Sequence, residues 1–277
     1  MRVAVVGLGA MGSRVASRLR ARGFDVVGYT RSGAIPEGLA RASTPADAVR
    51  DADAVLVFVT DDVASRTVWL GERGILAGLR DDALAIEQST LTPAWVEELA
   101  THAGARFLDA PVVGSRPQAD AGALVHLVGG STEAFDRARP LFDATGQAAH
   151  HVGPSPAGTH AKLVVNALFA TQVALVGELL AFLNAAGPQT AAFVETLGAL
   201  PVTSPAARVA LHAMRERQHA PLFPTALAHK DLDYALAAAA DLGVTLPLVT
   251  AARARFAEAL ARGHGESNLT AVGLLDA

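Results

Sequence analysis

The sequence predicts an α/β fold in which a mostly parallel sheet with helices on both faces is followed by helices alone. As far as about residue 152, short runs rich in β-branched residues alternate with helical patterns, which is typical of such a sheet. From residue 157 onward the strand pattern stops. We therefore expect two domains, residues 1–156 and residues 157–277.

The elements of the first domain follow from their hydrophobic periodicity and from the residues that bound them. Predicted strands cover residues 2–6, 25–29, 54–59, 83–87, 106–109, 124–128 and 148–152. Predicted helices cover residues 11–21, 62–70, 93–102 and 132–144. In the second domain, Gly and Pro punctuate helices predicted at residues 157–186, 189–200, 204–218, 225–241 and 248–262, with a short helix near residue 268.

The amino-acid composition excludes several classes of function. The 277 residues are 51% hydrophobic, enough for a sizeable core, and the formal net charge of -4 offers no basic field to a nucleic acid, so we expect no such partner. The absence of cysteine excludes disulfides and cysteine nucleophiles and fits a cytoplasmic location. The longest apolar run, 163–186, carries Asn166, Gln172, Glu178 and Asn184, so we expect a buried helix and no membrane span.

A glycine motif follows the first predicted strand and opens the first predicted helix. The expected contacts to a dinucleotide are Gly7, Leu8, Gly9, Ala10, Met11 and Gly12. In such a motif the first glycine permits the tight turn, the second lets the backbone approach a pyrophosphate, and the third lets the helix lie close to the strand. A tight turn without a ligand is the alternative, but all three glycines are in register with the motif.

The end of the second strand indicates which dinucleotide is bound. An enzyme that uses NAD usually places Asp or Glu here to accept a hydrogen bond from the ribose 2′-hydroxyl. This chain has Thr30, Arg31 and Ser32 instead. A guanidinium pairs well with a 2′-phosphate, so we expect NADP, with the two hydroxyls assisting. The alternative is that Arg31 is a solvated loop charge.

Lys162 and Asn166 form the second chemical pair. They lie four residues apart in the long predicted helix and therefore share one face of it. Their neighbours are almost wholly apolar, a setting in which a lysine can give a proton to a developing alkoxide. The spacing alone leaves open a second interpretation, a lysine that reaches water beside an asparagine bonded to local backbone.

Four motifs in order resemble those of the β-hydroxyacid dehydrogenases, a family that includes 3-hydroxyisobutyrate dehydrogenase and the glyoxylate/succinic semialdehyde reductases. The glycine motif resembles the cofactor signature, and Asp109-Ala110-Pro111-Val112-Val113-Gly114 resembles the substrate signature. Residues 158–166 resemble the catalytic signature. His229-Lys230-Asp231-Leu232, with Phe223 seven residues before Lys230, resembles the Lys-Asp-Leu signature. The resemblance covers almost the whole chain.

The resemblance implies an N-terminal Rossmann domain, a long interdomain helix and an all-α C-terminal domain that serves substrate binding and oligomerisation. It implies a hydride transfer between NADP(H) and a short hydroxyacid or semialdehyde, with Lys162 handling the proton and Asn166 fixing Lys162 or the substrate oxygens. It also implies a homodimer or homotetramer. Cofactor contacts implied beyond the glycine motif are Thr60, Asp61, Ser89, Thr90 and Lys230, and implied substrate contacts are Pro111, Val112, Val113, Gly114 and Phe223.

One residue departs from the family pattern. Val113 stands where the substrate signature usually has Ser, which removes a hydroxyl donor from the site of a substrate carboxylate. The loop continues Gly114-Ser115-Arg116-Pro117, an order that resembles the glyoxylate/succinic semialdehyde reductase branch. Arg116 is therefore a candidate carboxylate contact, with a solvated loop charge as the alternative. Because an ordinary lysine has a pKa of ~10.4 and is protonated at neutral pH, we expect reduction to be favoured.

Two other functions stay open. An imine reductase-like enzyme of similar architecture is favoured by Val113 and opposed by Lys162, which such enzymes usually lack. A non-catalytic interaction module is opposed by Lys162 and by the lack of a basic tail. The histidines show no metal-ligand spacing, so we expect no metal site.

Overall fold

A computed structural model describes residues 1–31, 35–187 and 191–276. Ser32, one of the residues expected at the 2′-phosphate, lies outside the described residues. The chain divides into two compact units, Met1–Lys162 and Leu163–Ala277.

The first unit is built on one nine-stranded sheet. Its strands are β1 (Arg2–Val6), β2 (Asp25–Tyr29), β3 (Ala40–Arg41), β4 (Ala54–Val57), β5 (Leu84–Glu87), β6 (Phe107–Asp109), β7 (Val112–Val113), β8 (Leu124–Gly130) and β9 (Gly146–Gly153). The order is β3-β2-β1-β4-β5-β6-β8-β7, with β9 paired to β8. Strands β1 to β6 are parallel to one another, β8 is antiparallel to β6 and β7, and β9 is parallel to β8. The predicted mostly parallel sheet is confirmed.

In the described part of the first unit, six α-helices cover the sheet. They are α1 (Gly12–Ala21), α2 (Pro45–Val49), α3 (Asp62–Leu70), α4 (Pro93–Ala103), α5 (Arg116–Ala121) and α6 (Thr132–Thr145). Short 3-10 helices cover Ile75–Ala77 and Gly104–Arg106. Every residue of β4 and β5 is buried, and alternate strand residues belong to two hydrophobic clusters, as expected for a parallel sheet covered on both faces.

Two strands and two α-helices of this unit, β3, β7, α2 and α5, were not predicted, nor were its two described 3-10 helices. Strands of two residues contain no periodic pattern, so only the sheet reveals them. Helix α2 begins at a Thr44 cap whose hydroxyl accepts from the N–H of Asp47. Helix α5 begins with a capping box between Ser115 and Gln118. Both caps are visible in the sequence, but the helices are too short for hydrophobic periodicity to reveal them.

The second unit is all-helical in the residues the structure describes. Helix α7 (Ala157–Ala185) begins in the first unit and continues into the second, followed by α8 (Ala191–Ala199), α9 (Pro205–Arg215), α10 (Thr225–Asp241), α11 (Pro247–Ala261) and a 3-10 helix (Leu269–Leu274). Their core includes Val173, Leu232 and Phe256, each fully buried.

Helix α7 is long and apolar enough to cross a membrane by length and composition. In its most apolar 18-residue segment, 39% is buried inside the protein. The core helix of a soluble protein can be equally long and apolar, so length and composition alone do not indicate a membrane span. One side of the helix is exposed although it is apolar. Its exposed large residues are Val164, Leu168, Leu175, Leu179 and Phe182.

Candidate active site

The glycine turn after β1 has the geometry that a bound pyrophosphate requires. Gly7 has φ +93°, and a Cβ there would lie 1.9 Å from the carbonyl oxygen of Phe58. A Cβ on Gly12 would lie 2.1 Å from the carbonyl oxygen of Gly7, so α1 packs closely against the turn. A Cβ on Gly9 would meet nothing within 4 Å among the described residues, which leaves the space that a phosphate needs. The turn therefore fits a dinucleotide.

Backbone and side-chain contacts hold this turn in place. The N–H of Gly7 donates to the carbonyl oxygen of Tyr29 at 2.8 Å. Leu8 is buried and packs over Gly28 of β2. No side chain among the described residues caps α1 at Met11, and the N–H groups of Ser13 and Arg14 already donate to backbone oxygens, so Gly12 is the position in the first turn where the backbone can bind an anion. Beyond β2, Thr30 is partly buried and Arg31 is exposed.

The loops after β4 and β5 are joined by Ser89. Its hydroxyl oxygen accepts from the N–H of Val59 at 2.8 Å, and the residue is 6% exposed. Asp61 is the N-cap of α3 and accepts from the N–H of Ala64 at 2.8 Å, while the exposed Thr60 donates its hydroxyl to Asp61. The side chains of Ser89 and Asp61 therefore stabilise the loop after β4 and the start of α3 by accepting hydrogen bonds from backbone N–H groups.

A fully buried carboxylate, Glu87, supports this region. One oxygen accepts from the Ser65 hydroxyl and the Trp69 indole N–H, both at 2.8 Å. The other accepts from the N–H of Ser89 at 2.9 Å. Burial raises the pKa of Glu87, and the hydrogen bonds from Ser89, Trp69 and Ser65 oppose that rise. No motif in the sequence connects Glu87 with Ser65 and Trp69, which lie 22 and 18 positions earlier.

A second buried polar group links β5 to the expected substrate loop. Gln88 Nε2 donates to the carbonyl oxygen of Ala110 at 3.2 Å and lies 3.0 Å from His126 Nδ1. The other ring nitrogen of His126 lies 3.1 Å from the Thr145 hydroxyl, which itself donates to Leu141. Burial lowers the pKa of His126 to about 4, so the ring is neutral at physiological pH.

The expected substrate loop runs from Ala110 to α5. The carbonyl oxygen of Pro111 accepts from the N–H of Leu127, and Val112 and Val113 pair with β8. Gly114, with φ +126°, is where the chain turns out of the sheet. Arg116 opens α5, and its Nε is buried without a hydrogen-bond partner among the described residues.

The start of α7 lies against the end of β6. Asp109, which is fully buried, accepts a hydrogen bond from the N–H of Thr159 at 2.7 Å. Burial raises the pKa of Asp109 to about 6, against the opposing hydrogen bond from Thr159. Lys162 lies one turn further along α7 and is partly buried, and Asn166 follows on the same helix face.

In the second unit, Asn166 is 5% exposed and its Nδ2 donates to Asp231 Oδ2 at 2.6 Å. This bond orients the amide and leaves the carbonyl oxygen of Asn166 for another partner. Lys230 Nζ lies 2.8 Å from Asp231 Oδ1 and 4.3 Å from the ring centre of Tyr234. The sequence motif identifies Asp231. Its hydrogen bond with Asn166, which lies 65 residues away in the chain, is visible only in the structure.

Phe223 is held by its backbone. Its N–H donates to Asn268 Oδ1 at 3.0 Å, and its ring stacks on Phe169 with centres 6.5 Å apart. This arrangement fixes the ring, as an aromatic pocket wall requires.

The predicted residues of the first unit collect at one edge of the sheet. Strands β1, β4, β5 and β6 are neighbours, and each ends immediately before one of the loops just described. The carboxyl edge of a parallel sheet is where such folds bind ligands. Among the described residues, no group of three or more His, Asp or Glu side chains could hold a metal ion.

The chain is similar to known proteins over nearly its whole length. Residues 2–153 match the NAD binding domain of 6-phosphogluconate dehydrogenase, and residues 156–274 match the NAD-binding domain of NADP-dependent 3-hydroxyisobutyrate dehydrogenase. The chain is 32% identical to NAD-dependent L-serine dehydrogenase of Pseudomonas aeruginosa, covering 98% of this chain and 96% of that one. It is 31% identical to 3-sulfolactaldehyde reductase of Escherichia coli, covering 98% and 94%.

A solved structure of 3-hydroxyisobutyrate dehydrogenase from Mycobacterium tuberculosis with L-serine has a TM-score of 0.85 and 27% identity to this chain, covering 99% of this chain and 98% of that one. The chain belongs to the β-hydroxyacid dehydrogenase family. It is an oxidoreductase of a family whose domains bind nicotinamide dinucleotides, and the expected N-terminal Rossmann domain is confirmed.

Proposed function

We propose that this protein reduces a short aldehyde acid with NADPH, with Lys162 as the proton donor. The observation that carries the proposal is the packing of the first turn of α7 against Asp109, because Asp109 immediately precedes the substrate loop and α7 carries Lys162. This packing supports the proposal because the helix that carries Lys162 starts next to Asp109, the residue before the proposed substrate loop.

Composition adds independent support for the role of lysine. Of the 23 basic residues counted as Lys plus Arg, only Lys162 and Lys230 are lysines. Arginine is always protonated in proteins, whereas lysine can release a proton. A chain that uses arginine at its other basic positions has kept lysine where the family resemblance places chemistry.

The cofactor contacts would come from three parts of the first unit. The glycine turn and the start of α1 would hold the pyrophosphate, and Thr30, Arg31 and Ser32 would hold the 2′-phosphate. Residues Thr60, Asp61, Ser89 and Thr90 would border the nicotinamide end, and the family resemblance adds Lys230 as a cofactor contact. When bound, the nicotinamide supplies the hydride at its C4 atom.

Lys162 would donate a proton to the carbonyl oxygen as negative charge develops there, which favours the reductive direction because an ordinary lysine is protonated at neutral pH. Asn166 would present its carbonyl oxygen to the Lys162 ammonium or to a substrate hydroxyl, since Asp231 already accepts from its amide N–H. Phe223 would wall the substrate pocket.

The substrate would be an aldehyde that carries an acidic group. Its anion would be held by the guanidinium of Arg116, whose Nε has no hydrogen-bond partner among the described residues, and by Gly114 at the turn out of β7, with Pro111, Val112 and Val113 as the apolar lining. One similar protein is named for an aldehyde with a sulfonate, which is consistent with an anion contact of this kind.

Lys162→Met and Lys162→Arg test the proton donor. We expect both to lower kcat by on the order of 10² or more, because neither methionine nor arginine can act as the acid. The matched control is Arg50→Lys, an exchange between the same two basic residue types at an exposed position at the end of α2, which should retain kcat. NADPH binding, measured by fluorescence titration, should persist in the Lys162 variants. Turnover near wild type in Lys162→Arg would refute the assignment.

Arg31→Ala tests the cofactor. Wild type should bind NADPH more tightly than NADH, and the variant should lose that preference while its NADH affinity stays the same, since a charge-assisted bond contributes about 1.5 to 3 kcal/mol. Arg22→Ala, at an exposed position beyond α1, is the control. Equal affinities of wild type for both cofactors would show that Arg31 is a loop charge.

A substrate panel of short aldehyde acids, neutral ketones and cyclic imines tests the substrate class by loss of NADPH absorbance. Val113 favours a second candidate, an imine reductase-like activity, because it replaces a hydroxyl by an apolar contact. Reduction of imines but of no aldehyde acid would replace the first proposal by the second. Binding of NADPH with no turnover on the panel would favour a non-catalytic module.

We further propose a cytoplasmic homodimer or homotetramer in which residues 1–156 bind the cofactor and residues 157–277 serve the substrate and assembly. The apolar exposed side of α7, from Val164 to Phe182, supports assembly through that helix, because large apolar patches usually become buried in an interface. Sedimentation of wild type and of Leu168→Glu would measure the change in mass that this predicts.

A further inference from the structure

Asp109 has no part in the chemistry proposed above, although it is fully buried at the end of β6. Its Oδ2 accepts from the N–H of Thr159 at 2.7 Å. It therefore acts as a remote cap on a helix that begins 48 residues later in the sequence, at Ala157. The same residue begins the segment that leads into the substrate loop.

Two glycines allow this close approach. Gly129 of β8 pairs with Asp109, and a Cβ on Gly129 would lie 2.3 Å from Asp109 Oδ1. A Cβ on Gly158, the second residue of α7, would lie 2.5 Å from the carbonyl oxygens of Asp109 and Leu127. The helix start therefore rests directly on the backbone of two strands, and any larger residue at either position would push it away.

A carboxylate is a costly cap for a buried helix start. Helices α4, α6 and α9 are capped by neutral Thr92, Ser131 and Ser204, and each of these hydroxyls accepts from a backbone N–H. A buried anion binds a helix N-terminus more strongly than a hydroxyl does, but it must lose its hydration. The stronger bond is useful where a helix must be held at one position.

We propose that Asp109 is a positioning residue for Lys162: it holds the first turn of α7 against β6 and so sets the position of the lysine relative to the substrate loop. The inference rests on the proposed role of Lys162 and explains why an aspartate stands at the head of the substrate signature. Gly129 and Gly158 contribute to this positioning, because their lack of a side chain lets the start of α7 approach Asp109 closely enough for the hydrogen bond from Thr159.

The test uses two variants that disturb this contact differently. Asp109→Asn keeps the shape and one acceptor but removes the charge, and Gly158→Ala displaces the helix start. A displacement of about 1 Å can lower turnover by about 100-fold, so we expect kcat to fall between about tenfold and 100-fold in both. The dissociation constant of NADPH, measured by fluorescence titration, should not change.

Two control variants change similar features elsewhere. Ser131→Ala removes the cap of α6, and Gly198→Ala adds a Cβ that would meet only ordinary contacts, at 3.6 and 3.7 Å. Both should keep the kcat of wild type. Loss of NADPH binding or of folding in both Asp109→Asn and Gly158→Ala would overturn the inference, because it would indicate a general structural role.

A double variant separates positioning from other effects. If Asp109 acts through Lys162, adding Asp109→Asn to Lys162→Met should lower turnover no further. An additive loss would overturn the inference. If Lys162→Met alone keeps wild-type turnover, the proposed function and this inference fail together. If Lys162→Met is inactive while Asp109→Asn and Gly158→Ala turn over normally, only this inference fails.

Discussion

Replacing the carboxylate of Asp109 by the amide of asparagine should make the protein more stable at neutral pH. Burial raises the pKa of Asp109 from 3.8 to about 6. A rise of this kind means that the folded state prefers the neutral form, so the stabilisation from this group is complete below the unfolded pKa and is lost as pH rises through the folded pKa. Asparagine resembles the neutral form at every pH.

The magnitude follows from the shift. The difference between 3.8 and about 6, at about 1.4 kcal/mol per pKa unit, is about 3 kcal/mol. We therefore expect Asp109→Asn to exceed wild type by about 3 kcal/mol in free energy of unfolding at pH 8 and by about half of that at pH 5. Urea unfolding of both proteins, followed by circular dichroism at several pH values, measures this difference.

The other titrating groups affect wild type and Asp109→Asn equally. The difference in free energy of unfolding between the two proteins therefore reports on Asp109 alone. A variant that is less stable than wild type at pH 8, or whose advantage does not change with pH, would refute the reasoning. Together with the loss of kcat expected for the same variant, a gain in stability would mark a carboxylate that is retained for activity at the expense of stability.

Three further predictions concern neighbouring residues. Val113→Ser should lower KM for succinic semialdehyde or glyoxylate by an amount equivalent to about 1 kcal/mol if the pocket takes an anion, and steady-state kinetics that show weaker use of aldehyde acids would contradict this. Burial lowers the pKa of His126 to about 4, so wild type should lose about 3 kcal/mol of stability as pH falls from 7 to 4, whereas His126→Gln should lack this loss in matched urea titrations. Ser89→Ala should lower the free energy of unfolding by about 1 to 3 kcal/mol because the N–H of Val59 loses its acceptor, and unchanged stability would show that water replaces the hydroxyl.

The sequence predicted the long and regular elements well. Predicted residues 2–6 and 25–29 are the observed β1 and β2, and predicted residues 62–70 and 225–241 are the observed α3 and α10. These elements have strong periodicity and clear end signals, such as the Asp61 cap before α3. Where pairing rather than local sequence defines the element, as in β7, the sequence carries too little information.

The residues of the candidate site likewise fall into those that the sequence predicts and those that only the structure reveals. Motifs with a fixed spacing, such as Gly7 to Gly12 or Lys162 with Asn166, are visible in the sequence because one local element carries them. Contacts that depend on strand order are not visible. The bond between Asp109 and Thr159 joins residues 50 positions apart, and the bond between Asn166 and Asp231 joins residues 65 apart.

The two buried carboxylates of the sheet explain how those distant motifs work together. Glu87 and Asp109 are paired in register at the ends of the parallel neighbours β5 and β6. Glu87 accepts from Ser89 on the side expected for the cofactor, and Asp109 accepts from Thr159 at the start of the helix that carries Lys162. Both pKa values are raised by burial, so both groups cost stability when ionised. One strand end thus orders the loop that carries Ser89, and the next orders the start of the helix that carries Lys162, while the register of β5 with β6 fixes the two strand ends relative to each other.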